Sequence, residues 1–387
     1  MRQRITVFGF FSEDNGLTTY FKTNYRALLA DGYQFNIINI ASYRPARELK
    51  RFGNYYEIPF YISDVNNRNF LQKRREFNRK LKTAYEECHL SSETIHFYLS
   101  NACDPAPITL AHKAGFQRII THAYSGYSRV FNFVQMELQR IGMKTIEKYA
   151  TDYIAVSKGT ANFFYSKRIQ KKAHFKILKN GIPVRKQRFH EEQNIYYRKR
   201  YNIEESDFVI GNIGRFIPSK NQIFLVESFN LFQKIYPNTK LVLIGDGPLI
   251  EDVRQRAYDL HLENKVIFTG FLENSEEVQN IFNVFAYPSL ADGLSLSLMH
   301  SIANGATAVM ADSQSVELST IGDSMILPIS DPQVWADAFH RLSQEKYNRI
   351  EASQNAMDEL IIHGYTVATS TRELKKLYGQ SKWESQF

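Results

Sequence analysis

The sequence predicts an α/β protein with two Rossmann-like domains, and three observations support this. The chain has 387 residues, which is enough for two domains with separate hydrophobic cores. Short apolar runs typical of buried strands alternate with helix-like segments, a pattern typical of parallel sheets covered by helices. The pattern starts again at about residue 208, so we expect each half of the chain to form its own sheet.

The first half opens with a βαβ unit. Residues 5–10 are mostly apolar and are predicted to be a buried strand, and residues 11–16 a loop. Apolar spacing then predicts a helix over about 17–30, followed by a strand at 35–40. Further strands are predicted at residues 95–99, 118–121 and 153–156. The segments between these strands are long enough for crossover helices, so the sheet should be parallel.

The second half repeats the alternation of strands and helices. Its predicted elements are a strand at 208–213, a helix at 221–235, a strand at 240–244, a helix at 249–259 and a strand at 266–269. Residues 184–202 are rich in Arg, Lys, Gln and Tyr with little apolar periodicity, so we expect them to connect the domains. The expected domains are residues 1–190 and 191–364, with residues 365–387 as a separate C-terminal segment.

The formal net charge of +8 is unevenly divided between the two halves. Residues 1–200 contain 34 Lys and Arg against 16 Asp and Glu, a net charge of +18. Residues 201–387 contain 14 against 24, a net charge of −10. The basic half therefore predicts an anionic partner, either a membrane surface or an anionic acceptor.

Residues 66–82 are the densest cationic stretch, with seven Lys and Arg. As a helix, this stretch would place its apolar residues on one stripe, which we expect to pack on its own domain. The cations on the far side would be Arg75, Arg79 and Lys82, available to a membrane with those of residues 167–179 and 185–188. Nucleic-acid binding is the alternative for a basic half, but the sequence contains no recognition-helix or RNA-binding motif, so no nucleic-acid partner is expected.

Cysteine content and hydropathy exclude several other classes. Cys88 and Cys103 are too few for a disulfide framework and lack the spacing of zinc ligands, so we expect a reducing compartment, the cytoplasm, and no metal site. No stretch approaches the ~18 apolar residues that span a bilayer, and the N-terminal apolar run is too short for a signal peptide. Membrane contact is therefore expected to be peripheral.

Loops that follow strands are the candidates for a ligand site, because ligands of open α/β sheets bind beyond the carboxyl ends of strands. After the first strand, Gly16 would let backbone N–H groups approach an anion at a helix start, although a plain tight turn uses the same residues. After the strand at 208–213, Gly214 is followed by Arg215 and Lys220. Two such cations can grip a diphosphate, or they can be ordinary solvated charges.

Two later loops add candidates. Gly247, in the turn at 245–248, suits a close backbone approach to a ligand or a purely structural turn. Asp292 and Gly293 precede a predicted helix, whose first backbone N–H groups would form a phosphate-binding site. The same loop and helix also contain Leu294, Ser295 and His300. Asp292 and His300 lie eight residues apart, about two helical turns, so both can face one ligand.

In this order, the motifs resemble those of GT-B glycosyltransferases of family four, a group that includes many bacterial capsule and exopolysaccharide enzymes. The resemblance covers almost the whole chain and is strongest over residues 152–312. Six stretches carry it: DYIAVS at 152–157, LKNGIP at 178–183, IGR with SK within 213–220, LIGDGPL at 243–249, VIFTGF at 266–271 and PSLADGL at 288–294.

This resemblance implies two Rossmann-like domains that face each other across a cleft, with a C-terminal helix from about residue 365 crossing back to the first domain. Residues 1–190 would bind the acceptor, a glycan or lipid-linked saccharide, and residues 191–364 a nucleotide sugar, with a UDP-sugar expected. Transfer would be metal-independent, would retain the anomeric configuration and would need no cofactor. The enzyme would act in polysaccharide synthesis, on the cytoplasmic face of the membrane.

The resemblance also assigns roles to individual residues. Arg215 and Lys220 would hold the donor diphosphate and stabilise charge on the leaving group. Gly293 and Leu294 would present N–H groups to the distal phosphate. The remaining donor-binding candidates are Gly16, Gly214, Gly247, Ser295 and His300. His122 lies where exopolysaccharide-type members have His-Ser-His-Asn, so it would contact the transferred sugar.

One departure concerns the family's paired glutamates, which are replaced by Asp292 and His300. Asp is a shorter acid that can still serve near the sugar, and His can hydrogen-bond a ribose diol without a fixed negative charge. A catalytically silent relative that binds a partner glycosyltransferase is the alternative interpretation. The presence of both Arg215 and Lys220 favours the active enzyme, since a silent chain has no need to grip a diphosphate.

Overall fold

A computed structural model of the chain describes residues 3–60, 70–126, 131–312 and 316–379. The chain forms two compact units. The first unit contains the described residues up to Gly181 and again from Val367, and the second unit extends from Ile182 to Thr366. Each unit contains one sheet in which every paired strand is parallel, as the alternation of strands and helices predicted.

The first unit contains a seven-stranded sheet with the order β3-β2-β1-β4-β5-β6-β7. Its strands are β1 (Arg4–Gly9), β2 (Gln34–Asn39), β3 (Gly53–Glu57), β4 (Thr94–Leu99), β5 (Arg118–Ala123), β6 (Asp152–Ala155) and β7 (Phe175–Ile177). Its first six helices are α1 (Gly16–Ala30), α2 (Phe70–His89), α3 (Ala106–Lys113), α4 (Phe133–Tyr149), α5 (Lys158–Phe164) and α6 (Lys167–Gln170). Side chains from the sheet and from the helices that cover it form one hydrophobic core.

The second unit contains a six-stranded sheet with the order β10-β9-β8-β11-β12-β13. Its strands are β8 (Phe208–Ile213), β9 (Thr239–Ile244), β10 (Val266–Gly270), β11 (Val284–Tyr287), β12 (Thr307–Ala311) and β13 (Ser324–Leu327). Its helices are α7 (Glu191–Arg200), α8 (Gln222–Ile235), α9 (Ile250–Asp259), α10 (Ser275–Val278), α11 (Leu296–Ala303), α12 (Pro332–Gln344) and α13 (Arg349–Ile362). In both sheets the strand order reverses next to the first strand of the unit.

Residues 184–202, which we expected to connect the domains, lie within the second unit and include the regular helix α7. Glu191 begins a regular helix in the second unit, and the Tyr197 side chain is buried and donates a hydrogen bond to Glu277 over 2.7 Å. Acidic residues lie in the first turn of this helix and basic residues in the last, which suits the helix dipole. The segment therefore forms a helix without the apolar periodicity by which helices are usually recognised.

The basic stretch at 66–82 lies largely in α2, although its first four residues are outside the described residues. Phe77 and Leu81 are buried, so the apolar stripe packs on its own unit as predicted. The side chains of Arg75, Arg79 and Lys82 are exposed on the other side. Among the described residues, no helix is both long and apolar enough to cross a membrane.

After the second unit, the chain returns to the first unit as helix α14 (Val367–Gly379). The Tyr378 hydroxyl lies 2.6 Å from the Tyr25 hydroxyl and 2.7 Å from His96 Nδ1, and Tyr20 contacts Ser370 over 3.1 Å. All of these side chains are buried, and all except that of Ser370 are aromatic rings. Buried hydrogen bonds of this kind fix the last helix on the sheet of the first unit.

Helix α4 approaches a neighbouring loop more closely than any side chain would allow. A Cβ atom on Gly142 would lie 1.6 Å from the backbone oxygen of Ala102. Beside it, Gln139 Oε1 accepts a 2.6 Å hydrogen bond from the Ala102 N–H. The helix starts with a capping box between Asn132 and Gln135. Both its start and its buried face are therefore fixed by specific contacts.

We expect Gly142→Ala to lower the free energy of unfolding by about 3 kcal/mol, because the added methyl group must displace backbone atoms. Gly159→Ala in α5 is the matched control, since its Cβ would meet no atom nearer than 3.8 Å. That change should leave stability unchanged or raise it by up to ~1 kcal/mol. Urea unfolding of both variants measures the difference, and equal stabilities would contradict the close approach.

Candidate functional site

The candidate site lies at the point where the strand order of the second sheet reverses, between β8 and β11. Loops that leave neighbouring strands there turn in opposite directions and leave a crevice at the carboxyl edge of the sheet, which is where such sheets bind ligands. The loop after β8 contains Arg215 and Lys220, and the loop after β11 contains Asp292. The topology therefore brings together residues that are more than 70 positions apart in the sequence.

The loop after β8 rests on the neighbouring turn through backbone contacts. A Cβ atom on Gly245, whose φ is +139°, would lie 2.1 Å from the backbone oxygen of Gly214. Gly247 has a φ of +154°, and its Cβ would lie 2.5 Å from the oxygen of Phe216. The Phe216 N–H also donates to the oxygen of Asp246 over 2.9 Å. Gly247 is thus required for this loop packing, while its contact with a donor stays a prediction.

Two hydrogen bonds to Ser219 join the loop after β8 to the loop after β11. The backbone oxygen of Ser219 accepts from the N–H of Leu290 over 2.6 Å and from the hydroxyl of Ser289 over 3.0 Å. The next residue, Lys220, ends a short 3₁₀ helix, and Asn221 adopts a left-handed conformation with a φ of +56° before α8 begins. These contacts fix the point from which the Lys220 side chain extends.

Lys220, Asp292 and Tyr287 form a connected cluster. Lys220 Nζ lies 2.7 Å from Asp292 Oδ2 and donates a 2.5 Å hydrogen bond to the Tyr287 hydroxyl, which also bonds Asp292 Oδ2. The ammonium lies 4.9 Å from the centre of the Tyr287 ring, a cation–π distance. The other carboxylate oxygen of Asp292 accepts the N–H of Gly293 over 2.8 Å. Each oxygen of Asp292 therefore has a partner.

Electrostatics keep this cluster in one ionic form at neutral pH. Burial by itself raises the pKa of Asp292, but the Lys220 charge and the hydrogen bonds together hold it below its ordinary value. Burial likewise opposes the charge on Lys220, yet Asp292 outweighs it and raises the lysine pKa. Burial raises the pKa of Tyr287 to about 12. The site thus contains an ammonium, a carboxylate and a neutral phenol.

Helix α11 continues from the loop that contains Asp292. Ser295 caps the helix by accepting the N–H of Leu298 over 3.3 Å, and its hydroxyl lies 3.1 Å from that of Ser297. His300 follows on the same helix, where burial lowers its pKa to about 4, so its imidazole is neutral at physiological pH. Gly293 and Leu294 are buried just before the helix. Their contact with a phosphate stays a prediction.

The two candidates of the first unit lie in different surroundings. Gly16 is the first residue of α1, next to the cap in which Asn15 Oδ1 accepts the N–H of Thr18 over 2.8 Å. His122 is fully buried in β5, and its ring stacks on His96 with centroids 5.3 Å apart. Burial lowers the pKa of His122 to about 3, so the ring is neutral. The predicted contact of His122 with a sugar is not tested by these positions.

Tyr287 is the residue that the sequence analysis missed. It ends a strand directly before Pro288, and it is 1% exposed, so its pattern is that of a core residue. Its position as the last residue of a strand beside the reversal point was the available signal. Among the residues that the structure describes, no three His, Cys, Asp or Glu side chains form a group able to hold a metal ion, and metal-independent transfer stays a prediction.

Comparison with solved structures identifies the fold. The structure of Anabaena HepE in complex with UDP-glucose superposes with a TM-score of 0.77 at 14% identity, covering 98% of this chain and 100% of that one. At this identity the likeness shows the fold alone, which is the GT-B fold of two Rossmann-like units. The fold implied by the sequence motifs is confirmed, with α14 in the first unit.

Sequence comparison then finds a family match within the second unit and several relatives of the chain. Residues 194–359 match the family described as glycosyl transferases group 1. The putative glycosyltransferase EpsF of Bacillus subtilis is 23% identical over 332 residues, 83% of this chain and 82% of EpsF. An Escherichia coli UDP-Gal:alpha-D-GlcNAc-diphosphoundecaprenol alpha-1,3-galactosyltransferase is 21% identical over 207 residues, 52% of this chain and 53% of that enzyme. The family match lies within the second unit, and together with these relatives it supports a glycosyltransferase of the type that the family-four motifs indicate.

The contact between Lys220 and Asp292 should appear as a coupling energy of about 2 kcal/mol in a double-mutant cycle of Lys220→Met and Asp292→Asn, because both side chains are only 19% exposed. The control pair is Arg341 and Glu345, which lie 3.9 Å apart with side chains 64% and 53% exposed. That pair should couple by less than ~0.5 kcal/mol. Urea unfolding gives both values, and similar couplings would refute the buried pair.

Asp292 should also contribute to the pH dependence of stability. Its pKa is lower in the folded protein than the ~3.9 expected in the unfolded chain, so its stabilisation is fully present above about pH 4 and is lost as the pH falls through the folded pKa. The stability difference between the wild type and Asp292→Asn should therefore be constant from pH 7 to about pH 5 and shrink below pH 4. A difference that grows on acidification would mean the opposite sign of the shift.

Proposed function

We propose that this glycosyltransferase moves a sugar from a nucleotide-sugar donor, with a UDP-sugar preferred, to a glycan or lipid-linked acceptor, with retention of anomeric configuration. The product would belong to a cell-surface polysaccharide. The observation that carries this proposal is the largely buried ammonium of Lys220, which Asp292 and Tyr287 hold at the strand reversal of the second sheet, on the same loop as Arg215.

A fixed ammonium suits a reaction in which the leaving group is a diphosphate. Negative charge grows on that group as the glycosidic bond breaks, and cations already in place stabilise it without reorganisation. Lys220 has three N–H donors, of which Asp292 and Tyr287 take two. The third is available for a phosphate oxygen. Arg215 would add its planar fork from the same loop.

Asp292 and His300 would then serve the rest of the donor. Asp292 keeps its charge through Lys220 and can accept hydrogen bonds from sugar hydroxyls at its remaining lone pairs. His300, neutral because burial lowers its pKa to about 4, can accept from or donate to a ribose hydroxyl. Recognition of the ribose by a neutral imidazole should therefore not vary with pH over the physiological range.

Relatives support the donor and the acceptor that we propose. HepE was crystallised with UDP-glucose, and the name of the E. coli relative gives a UDP-sugar donor and a lipid diphosphate acceptor. We extend this chemistry to the present chain, with the basic first half near an anionic lipid-linked acceptor. The enzyme would work in the cytoplasm as a peripheral protein on the inner face of the cell membrane.

Thermal-shift measurements with UDP-, GDP-, ADP- and dTDP-sugars test the donor. We expect a UDP-sugar to stabilise the protein most, since binding to the folded state raises the melting temperature. Stabilisation by another nucleotide sugar alone would reassign the base. No stabilisation by any of the four, together with association with a second transferase, would instead identify a catalytically silent partner protein.

Lys220→Ala and Arg215→Ala should each lower kcat/KM for transfer by about 100-fold or more, because each removes charge stabilisation that grows in the transition state. Lys234→Ala is the control, an exposed cation in the last turn of α8, the helix that begins just after Lys220. Its kcat/KM should stay within about twofold of the wild type. Full activity of both site variants would overturn the diphosphate assignment.

A further inference from the structure

Helix α4 in the first unit exposes four large apolar side chains. The exposed fractions are 79% for Phe133, 63% for Val134, 43% for Leu138 and 57% for Ile141. At 100° per residue, Val134, Leu138 and Ile141 lie within a sector of about 60°, and Phe133 lies about 80° beyond the edge of that sector. We call these four residues the α4 surface. Single exposed apolar residues are common on protein surfaces, but several together on one helix are not. Such a group therefore indicates a surface that contacts something other than water.

An adjacent face of α4 packs on its own unit, so the stripe cannot turn inward. Gly142 packs closely on the Ala102 backbone, and the side chain of Gln139 accepts a hydrogen bond from the Ala102 N–H. Ile146 is 1% exposed. Rotation of the helix would break these contacts and force side chains into the space that only a glycine fits. The α4 surface is therefore held outward by the same contacts that anchor the helix.

Cations lie along one side of the apolar stripe of the α4 surface. Arg140, Lys144 and Lys148 are exposed on the adjoining sector of the same helix, and α6 adds exposed cations next to it. The α6 cations are Lys167 and Arg168, followed by Lys171 and Lys172. Residues 131–179 contain ten Lys and Arg against three Asp and Glu. An apolar stripe flanked by cations matches the interface of an anionic bilayer, with acyl chains below and phosphates above.

A surface cavity of about 240 Å³ adjoins this helix. Its walls include the apolar side chains of Met143, Phe164 and Ile169, and both Arg140 and Lys144 line it. Glu147 also lines it and forms an ion pair with Arg168. The cavity thus repeats, on a smaller scale, the same combination of apolar surface and cations. A lipid phosphate in the cavity would contact Arg140 and Lys144, which belong to the cationic sector that adjoins the apolar stripe on one side.

We propose that the α4 surface docks the first unit on an anionic lipid bilayer. Phe133, Val134, Leu138 and Ile141 enter the interfacial layer, while Arg140, Lys144 and Lys148 bind the phosphates of anionic lipids. The inference rests on the peripheral membrane location included in the proposed function, and it identifies which surface makes the contact. Helix α2, with its exposed cations, contributes long-range attraction and does not insert.

Vesicle sedimentation tests the docking surface without donor or acceptor. The wild type should bind vesicles of phosphatidylcholine with about one-third phosphatidylglycerol, and it should bind pure phosphatidylcholine at least ~10-fold more weakly. Val134→Ser, Leu138→Ser and Ile141→Ser combined should reduce binding to the anionic vesicles by at least ~10-fold. The control combines Ile350→Ser and Ile362→Ser on α13, whose residues are 68% and 80% exposed in the acidic second unit, and should change binding by less than about twofold.

Charge reversal separates α4 from α2. Arg140→Glu, Lys144→Glu and Lys148→Glu combined should abolish vesicle binding, whereas Arg75→Glu, Arg79→Glu and Lys82→Glu on α2 should weaken it and leave its apolar, salt-resistant part. The reverse result, or full binding by the α4 serine variant, would overturn the proposal. Circular dichroism and melting temperatures equal to those of the wild type exclude misfolding as the cause.

The insertion itself can be seen with a fluorescent probe. Phe133→Trp should show a blue shift in emission on anionic vesicles and none on phosphatidylcholine, because the ring leaves water only in the first case. Concentration-dependent dimers that the α4 serine variant abolishes in the absence of lipid would assign the surface to a second copy of the chain instead. Wild-type protein that binds no vesicle, yet transfers sugar to a soluble acceptor, would refute the membrane location while leaving the transferase function intact.

Discussion

Ser219 accepts two hydrogen bonds from the loop that follows β11, and the arrangement of the site depends on them. They hold the loop of Lys220 against the loop of Asp292, so the ammonium and the carboxylate meet in a place from which water is largely excluded. A lysine buried without this partner would lose its charge, and an aspartate would be protonated more easily. These hydrogen bonds to the Ser219 backbone set the position of the two loops. The ion pair, the neutral phenol of Tyr287 and the remaining donor of Lys220 all depend on that position.

Asp292 and His300 lie where the glycosyltransferase family that the motifs resemble has a pair of glutamates. The structure shows how each residue differs from a glutamate. Asp292 is short, and its position lets Lys220 and Tyr287 reach one oxygen while a backbone N–H reaches the other. His300 is neutral, because burial lowers its pKa to about 4. The site thus keeps one negative charge instead of two beside Lys220, which would lessen electrostatic repulsion of the diphosphate donor that we propose.

Much of the fold was predictable because buried parallel strands are continuous apolar runs and end in recognisable turns. β1 and β8 are of this kind, and both were predicted within a residue or two. Helix α7 was not, because Tyr197 is its one buried side chain, so the helix lacks the apolar periodicity by which helices are recognised. The motifs singled out Arg215, Lys220 and Asp292, but not the contact between the last two. That contact depends on how two loops, 70 residues apart, pack on one another, and local sequence carries no record of it.

The first unit includes helix α14, which is synthesised after the whole second unit. The hydroxyl of Tyr25 and the imidazole of His96 lie near the start of the chain, and their partner, Tyr378, lies near the end. Until the ribosome has made that last helix, His96 Nδ1 lacks its partner and the Tyr25 hydroxyl has only that of Tyr98, while every strand of the second sheet is already available. The unit that begins first is therefore completed last. During translation the second unit is the one able to reach its final structure without waiting for the rest of the chain.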